Sequence, residues 1–302
     1  MTKYIAFPLA WLLLTAIPSH ADFQAGLDAY NHGDYAAAAR EWQPAAESGN
    51  ANAEFDMGLL FSSGHGVTQD YAKAADWYRK AAEQGVVAAE YNLAVLYSNG
   101  QGVKQDKAEA AKWFTKVAEA GITQAATALG DLYSSDEGLP KDYVQAEKWY
   151  QIAADKGFPD AQFGLGLVYD LQESYPMAIE WYTKAADAGY APAMTNLGLL
   201  YYNAQGEKRD LVQAYAWLAR GQKGGDTRAA ELLDITAKKL SKKETRRAQN
   251  LVDAWQPSIK PPQPALDPDK LFLQPQTASP AQTPVSVTPA TTIPAAEAEG
   301  AH

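Results

Sequence analysis

Residues 53–85 read AEFDMGLLFSSGHGVTQDYAKAADWYRKAAEQG, and this stretch decides the fold. Its first part spaces alanine, methionine and phenylalanine four residues apart, which places them on one face of a helix, helix A. Residues 64–70 then supply glycines that can adopt positive φ angles and an aspartate that can cap the next helix. The last part alternates alanines with Trp77 and Tyr78 and predicts a second helix, helix B, which ends at Gly85. The stretch therefore predicts a helical hairpin.

The same unit recurs along the chain with a period close to 36 residues. Six tryptophans of helix B are spaced 35, 36, 36, 32 and 36 residues apart: Trp42, Trp77, Trp113, Trp149, Trp181 and Trp217. A glycine follows each tryptophan at a near-constant offset, and an alanine stands four residues after each glycine. Such a period is typical of a solenoid of stacked helical repeats.

A small residue recurs in the middle of helix A. It is a glycine four times, at Gly58, Gly130, Gly166 and Gly198, and an alanine once, at Ala94. A glycine inside a helix costs about 1 kcal/mol relative to alanine, so its recurrence needs a compensating role. We expect close approach of the neighbouring helix at these positions.

The pattern A-x-x-x-L-G-x-x-Y-x-x-G-x-G-V-x-x-D-x-x-K-A-x-x-W-Y-x-K-A-A-x-x-G resembles the Sel1-like repeat, a relative of the tetratricopeptide repeat with a longer loop between its helices. The resemblance covers residues 22–225 as a partial first unit and five further units, and a sixth begins at Asp226. It implies an all-α, right-handed superhelical solenoid of about six antiparallel helical hairpins. The alternative is a plain tetratricopeptide array, which has a 34-residue period and lacks the G-x-G-V-x-x-D loop.

The two ends of the chain differ from the repeats. Residues 1–21 combine Lys3, a short apolar run and small residues before Asp22, which predicts a cleaved signal peptide, no membrane span after cleavage, and a periplasmic or secreted protein. Residues 226–255 predict a C-terminal helical cap, because a helix near residues 227–239 precedes a capping box that begins at Ser241. Residues 256–302 are rich in Pro, Ala and Thr and predict a disordered tail.

The composition excludes several kinds of chemistry. The chain has no Cys, which excludes thiol nucleophiles, disulfides and cysteine-ligated metals. Its net charge of −10 argues against a nucleic-acid binder. Neither paired metal-ligand histidines nor a hydrolase or phosphate-binding motif occurs in the sequence. We therefore predict no catalytic, cofactor-binding or metal site, and a protein that is not an enzyme.

A helical superhelix offers instead an extended concave wall lined by helix A, where side chains outside the core are free to vary. Polar side chains there could hydrogen-bond an extended peptide of a protein partner, the mode in which tetratricopeptide relatives bind. The residues predicted to do so are Asp56, Asn92, Asn99, Asn196 and Asn203. The predicted function is that of an exported adaptor in envelope assembly, secretion or regulation of a sensor protein, roles that the resemblance implies.

A basic cluster in the predicted cap suggests a second kind of contact. It comprises Lys238, Lys239, Lys242, Lys243, Arg246 and Arg247. On an acidic protein such a cluster is either a solvated surface or a contact with an anionic surface, such as a phospholipid headgroup or a cell-wall polymer. The alternative function is therefore a factor that binds the cell wall or an exopolysaccharide, and a hydrolase is a third hypothesis.

Overall fold

The computed structural model describes residues 20–136 and 139–262, and within them the chain forms fourteen α-helices and no strand. Two compact units divide the chain, residues 1–86 and 87–302. The helices of the first unit are α1 (His20–Asn31), α2 (Tyr35–Glu47), α3 (Ala51–Ser63) and α4 (Tyr71–Glu83). Those of the second are α5 (Val87–Asn99), α6 (Lys107–Glu119), α7 (Thr123–Ser134), α8 (Tyr143–Ala154), α9 (Pro159–Leu171), α10 (Tyr175–Asp187), α11 (Ala191–Asn203), α12 (Leu211–Lys223), α13 (Ala229–Lys238) and α14 (Lys242–Ala254).

Consecutive helices pack as hairpins, which confirms the predicted all-α repeat fold. In the first unit α1 packs on α2 and α3 on α4. In the second unit the pairs are α5 with α6, α7 with α8, α9 with α10, and α11 with α12. The odd-numbered helices from α3 to α11 are the A helices, and the even-numbered helices from α4 to α12 are the B helices. Adjacent hairpins also pack within each unit, as between α8 and α9, and this packing buries a continuous core.

The loop from helix A to helix B needs its glycines and its aspartate, as predicted. Gly64 and Gly66 have φ angles of 75° and 69°, a region that other residues enter only at a cost. A Cβ atom on Gly66 would also lie 2.3 Å from the carbonyl carbon of Tyr35, so the loop touches the start of α2. The Asp70 carboxylate accepts hydrogen bonds from the backbone N–H groups of Ala72 and Lys73, both at 3.1 Å, and caps α4.

The glycine inside helix A lies against a large side chain of helix B, which confirms the predicted close approach. A Cβ atom on Gly130 would lie 2.4 Å from Cδ1 of Tyr150, closer than any real Cβ contact. The same relation holds between Gly58 and Tyr78, between Gly166 and Tyr182, and between Gly198 and Leu218. In each pair the B-helix side chain therefore occupies the space that a Cβ atom would need, and its packing compensates for the low helix propensity of glycine.

The tryptophans of the B helices carry a cation on their rings. The amino group of Lys80 lies 3.9 Å from the ring centre of Trp77, and that of Lys184 lies 3.7 Å from the ring centre of Trp181. Lysine also covers Trp113 and Trp149, and Arg220 covers Trp217. Each contact contributes about 0.5–1 kcal/mol at an exposed site and shields the ring from water.

The predicted helical cap is confirmed as a helix pair that packs on α12. Ser241 and Glu244 form the capping box of α14: the Ser241 N–H donates to a Glu244 carboxylate oxygen at 2.9 Å, and the Glu244 N–H donates to Ser241 Oγ at 3.3 Å. α13 and α14 both contact α12. The Arg220 guanidinium donates to the Leu251 carbonyl at 2.6 Å and so joins α12 to α14.

Most of the two predicted end segments lies outside the described residues. The predicted signal peptide is described only at its last two residues, which begin α1. The predicted tail is described only at residues 256–262, which contain neither helix nor strand.

Candidate functional site

Two of the five predicted partner-binding residues are core residues, so the prediction that they face an open groove is wrong. Asn92 and Asn196 are both 0% exposed. The Asn196 amide donates to the Tyr182 hydroxyl at 3.0 Å, inside the hairpin. Asn196 follows the core residue Ala193 by three positions and precedes the core residue Leu200 by four. This spacing places it on the buried face of α11 rather than on the opposite one.

The other three predicted residues lie outside the core. Asp56 is partly buried on α3, Asn99 is exposed at the end of α5, and Asn203 is partly buried at the end of α11. The amides of Asn99 and Asn203 donate to the side-chain oxygens of Gln101 and Gln205, at 3.2 and 3.3 Å. These two amides therefore help to order the A-to-B loops, and partner binding by the three residues stays a prediction.

The second unit instead brings together four side chains that we call the tyrosine–aspartate face: Tyr91, Asp131, Asp160 and Tyr190. Tyr91 lies on α5, Asp131 on α7, Asp160 in the first turn of α9, and Tyr190 directly before α11. α7 packs on α9, and α9 contacts α11, so successive A helices form this surface. Asp160 is exposed and the other three are partly buried. The Tyr190 ring packs on Phe163, with ring centres 5.3 Å apart.

The four groups of this face interact electrostatically. Burial, together with the negative charges of Asp131 and Asp160, raises the pKa of Tyr91 and of Tyr190 to about 12. Although the Asp160 residue is exposed overall, desolvation of its carboxyl group raises its pKa above the usual range. The face thus combines two neutral phenols with two carboxyl groups, which suits a ligand that carries positive charge and N–H donors.

Asp131 is the most perturbed acid of this face. Burial raises its pKa from 3.8 to about 7, although a hydrogen bond from the Tyr150 hydroxyl, 2.6 Å from Oδ1, lowers it. The charge of Asp160 adds to the increase. The same Tyr150 hydroxyl lies 3.3 Å from Ser134 Oγ. The carboxyl group is therefore held in one orientation and changes its charge near neutral pH.

The sequence also distinguishes Asp131, which is not among the predicted partner-binding residues, by a departure from the pattern of the other repeats. Ten residues after the glycine that begins each unit, the other repeats carry an aliphatic residue, in order Leu59, Val95, Leu167 and Leu199. In the third repeat the same position holds Asp131. An acid at an otherwise aliphatic position of a repeat costs stability, which makes it a candidate for function.

The six residues of the predicted basic cluster are all exposed, at the end of α13 and in the first turns of α14. The Lys239 amino group lies 5.3 Å from the ring centre of Tyr202, and the Arg209 guanidinium lies 4.9 Å from the same ring. The loop before α12 therefore adds a seventh cation to this surface. Its contact with an anionic surface stays a prediction.

Within the described residues, the chain offers neither a membrane-spanning helix nor a cluster of metal ligands. Among residues 20–136 and 139–262, no helix has the length and apolar character that a membrane span requires. The same residues hold no group of three or more His, Asp or Glu side chains arranged to bind a metal ion.

Comparisons with known proteins give the family. The family model of the Sel1 repeat matches residues 51–86, 87–122, 123–158, 159–190 and 191–226. No curated protein matches the chain.

Solved structures agree with the family match. One similar structure is a protective antigen of uropathogenic Escherichia coli with an SLR fold, at 34% identity and a TM-score of 0.64. The match covers 76% of this chain and 51% of the antigen, so the chain spans about half the antigen's length. A second is a Sel1 repeat protein from Oxalobacter formigenes, at 30% identity and a TM-score of 0.58, with 76% of this chain and 98% of that protein covered.

The matched repeats follow one another without a gap over residues 51–226, which is more than half of the 302 residues. They coincide with the five hairpins from α3 to α12. The chain therefore belongs to the Sel1 repeat family, whose repeats generally serve as scaffolds for protein interaction.

Proposed function

We propose that this protein is a non-catalytic scaffold that binds a basic, extended segment of a partner protein on the tyrosine–aspartate face. The observation that carries the proposal is the convergence of Asp131 and Asp160 with two tyrosines on successive A helices. Carboxylates attract Lys and Arg side chains, and phenol rings add stacking area and hydrogen bonds at low entropic cost. The membership of a scaffold family supports an interaction role.

The proposed place of action is outside the cytoplasm. It rests on residues 1–21, whose short apolar run and small residues are typical of a signal peptide. There the scaffold would hold a partner in envelope assembly, secretion or regulation of a sensor protein. Residues 226–255 would close the end of the repeats, as a capping helix pair does in other solenoids.

The decisive experiment is crosslinking in the native cell envelope, followed by mass spectrometry of the crosslinked peptides. The test variant is Asp131→Asn with Asp160→Asn. The matched control is Asp234→Asn with Asp253→Asn, which changes the net charge equally at two exposed acids of α13 and α14. The proposal requires a partner that the control retains, that the test variant loses, and whose crosslinked segment is rich in Lys or Arg.

A second candidate function is binding of an anionic cell-wall polymer or exopolysaccharide by the basic cluster. It is favoured by the exposure of all six cations and by Arg209 beside Lys239. The test is sedimentation with purified cell wall, with Lys242→Gln and Arg246→Gln as the variant pair. Loss of sedimentation in this pair, together with an unchanged result for Asp131→Asn, would move the function to the cap.

A further inference from the structure

The first unit contains an open groove that is lined by α2, α3 and α4. Its volume is about 360 Å³, at the lower end of the range of about 300–1,000 Å³ that is usual for ligand sites. Met57 of α3 is 2% exposed and forms the floor, and the partly buried rings of Phe61 and Trp77 form the walls. Gln43 borders the groove from α2. The groove therefore offers an apolar, aromatic interior to a short segment of a ligand.

Two lysines of α4 bring positive charge to this groove. Lys73 and Lys80 both line it and are exposed. They stand seven residues apart, which places them on one face of α4 and separates them by about 10.5 Å along the helix. The Lys73 amino group lies 5.3 Å from the ring centre of Phe61, and the Lys80 amino group lies 3.9 Å from that of Trp77. Along α4 the groove thus presents a cation, an apolar interior and a second cation.

Two acids close to these lysines are engaged within α4 and its cap. The Asp70 carboxylate lies 3.6 Å from the Lys73 amino group, but it also caps α4, and 63% of the Lys73 side chain remains exposed. Asp76 borders the groove and forms an ion pair with Arg79 at 2.8 Å. The Asp76 charge is therefore offset by its neighbour, and Lys73 keeps most of its surface for a ligand.

A third acid lies beneath Lys80. Burial raises the pKa of Glu54 above its usual range, and the nearby charge of Lys80 lowers it. Glu54 is 3% exposed and accepts a hydrogen bond from the Gln84 amide at 2.6 Å. The carboxyl group is therefore beneath the surface, whereas Lys80 is exposed and can meet the charge of a ligand.

We propose that this groove binds an acidic segment of a partner protein, in which an aromatic or large aliphatic side chain lies between two carboxylates. The apolar side chain enters between Phe61 and Trp77, above Met57, and the carboxylates meet Lys73 and Lys80. Burial of the apolar side chain supplies affinity, and the two charge pairs supply specificity. An extended chain covers about 10 Å in three residues, so the two acids stand about three positions apart.

The groove lies within residues 1–86, whereas the tyrosine–aspartate face lies within residues 87–302. The two proposals use different residues and opposite charges, and each stands or falls by itself. Together they describe a scaffold that binds an acidic and a basic segment on separate units.

Synthetic peptides test the proposal on the full chain by fluorescence anisotropy. Each probe is blocked at both ends, carries a dye of no net charge, and holds one Phe between two Glu residues that stand two, three or four positions apart. Matched probes replace both Glu residues by Lys, or the Phe by Ser. We expect the Glu probe with three-position spacing to bind most tightly, and the Lys probes to bind about tenfold more weakly. The Ser probes should bind severalfold more weakly, because they lack the apolar side chain.

Charge reversal in the protein then places the binding in the groove. The test variant is Lys73→Glu with Lys80→Glu, which should lose the Glu probes and gain the Lys probes. The matched control is Lys104→Glu with Lys208→Glu, which makes the same change of charge at two exposed loop lysines of the second unit and should bind as the wild type does. Circular dichroism checks that each variant is folded. The milder pair Lys73→Gln with Lys80→Gln, which should weaken binding of the Glu probes, replaces the test variant if that variant unfolds.

The outcomes decide the proposal. Glu probes that bind no more tightly than Lys probes would overturn it, and so would equal losses in the test and control variants, because the attraction would then belong to the whole protein. A preference for Glu that does not require the Phe would exclude the aromatic groove as the site. Loss of the Glu probes in the test variant alone, together with gain of the Lys probes, supports the groove and the chemistry of its ligand.

Discussion

Replacing Asp131 by asparagine should stabilise the second unit at and above neutral pH. The Asp131 carboxyl accepts a hydrogen bond from the Tyr150 hydroxyl at 2.6 Å, and the amide oxygen of asparagine can accept the same bond. The substitution keeps the shape of the side chain and removes its charge. It therefore isolates the cost of holding a carboxylate in this partly buried place, where Asp160 adds a second negative charge.

The raised pKa sets both the sign and the size of the effect. The pKa of Asp131 rises from 3.8 in the unfolded chain to about 7 in the fold, so the folded protein binds a proton that the unfolded chain has released. The favourable contribution of this proton is complete below pH 3.8 and is lost as the pH rises through about 7. A shift of about three pH units corresponds to at most about 4 kcal/mol. The variant should match the wild type near pH 4 and exceed it by about 2–4 kcal/mol at pH 8.

Urea unfolding followed by circular dichroism, measured between pH 4 and pH 8.5, reads this difference directly. Carboxylates that do not interact with Asp131 change the stability of both proteins equally, so the difference between variant and wild type reports Asp131 together with its coupling to Asp160. Asp234→Asn is the matched control, because it makes the same substitution at an exposed acid of α13, and it should change the free energy of unfolding by less than about 0.5 kcal/mol. A constant difference for Asp131→Asn, or a variant less stable than the wild type at pH 8, would refute the argument from burial.

Three further predictions test the core, the cap and the binding face. Gly130→Leu should lower the free energy of unfolding by about 1–3 kcal/mol, because its side chain would overlap the Tyr150 ring; an unchanged melting temperature would contradict this close packing. Asn196→Ala should cost about 1–3 kcal/mol, because it removes the amide that donates to the Tyr182 hydroxyl and leaves that hydroxyl with only its bond to Asp170. The exposed Asn99→Ala should cost less than about 0.5 kcal/mol in the same chemical unfolding assay. Arg220→Met should loosen α14, because it removes the hydrogen bond to the Leu251 carbonyl and the positive charge over the Trp217 ring. Limited proteolysis should then cleave the variant after α12 before it cleaves the repeats. Equal cleavage rates in variant and wild type would count against this role of Arg220.

The features that could be predicted from the sequence are the local patterns that recur at the same position of successive repeats. The glycine of helix A lies against a B-helix side chain in four repeats, so the same glycine position supports the prediction four times. Asp70 caps its helix, and Asp106, Asp142 and Asp210 do the same. A capping residue and a positive φ angle depend on neighbours within a few residues, which is why they can be read without knowing the packing.

The candidate site could not be predicted in the same way, because it depends on helix phase and on contacts between repeats. Asn196 is polar, yet it stands three residues after Ala193 and four before Leu200 and therefore points into the core, where its amide donates to the Tyr182 hydroxyl. Asp131 has an aliphatic counterpart in each of the other four repeats, so a consensus sequence of the repeats shows an aliphatic residue at this position and not the aspartate. In a repeat protein the shared positions specify the fold, and a position that departs from the protein's own pattern is free to specify a ligand. Asp131 is such a position, recognisable in the sequence once the repeats are aligned, and the pH dependence of Asp131→Asn tests whether the departure has a physical cost.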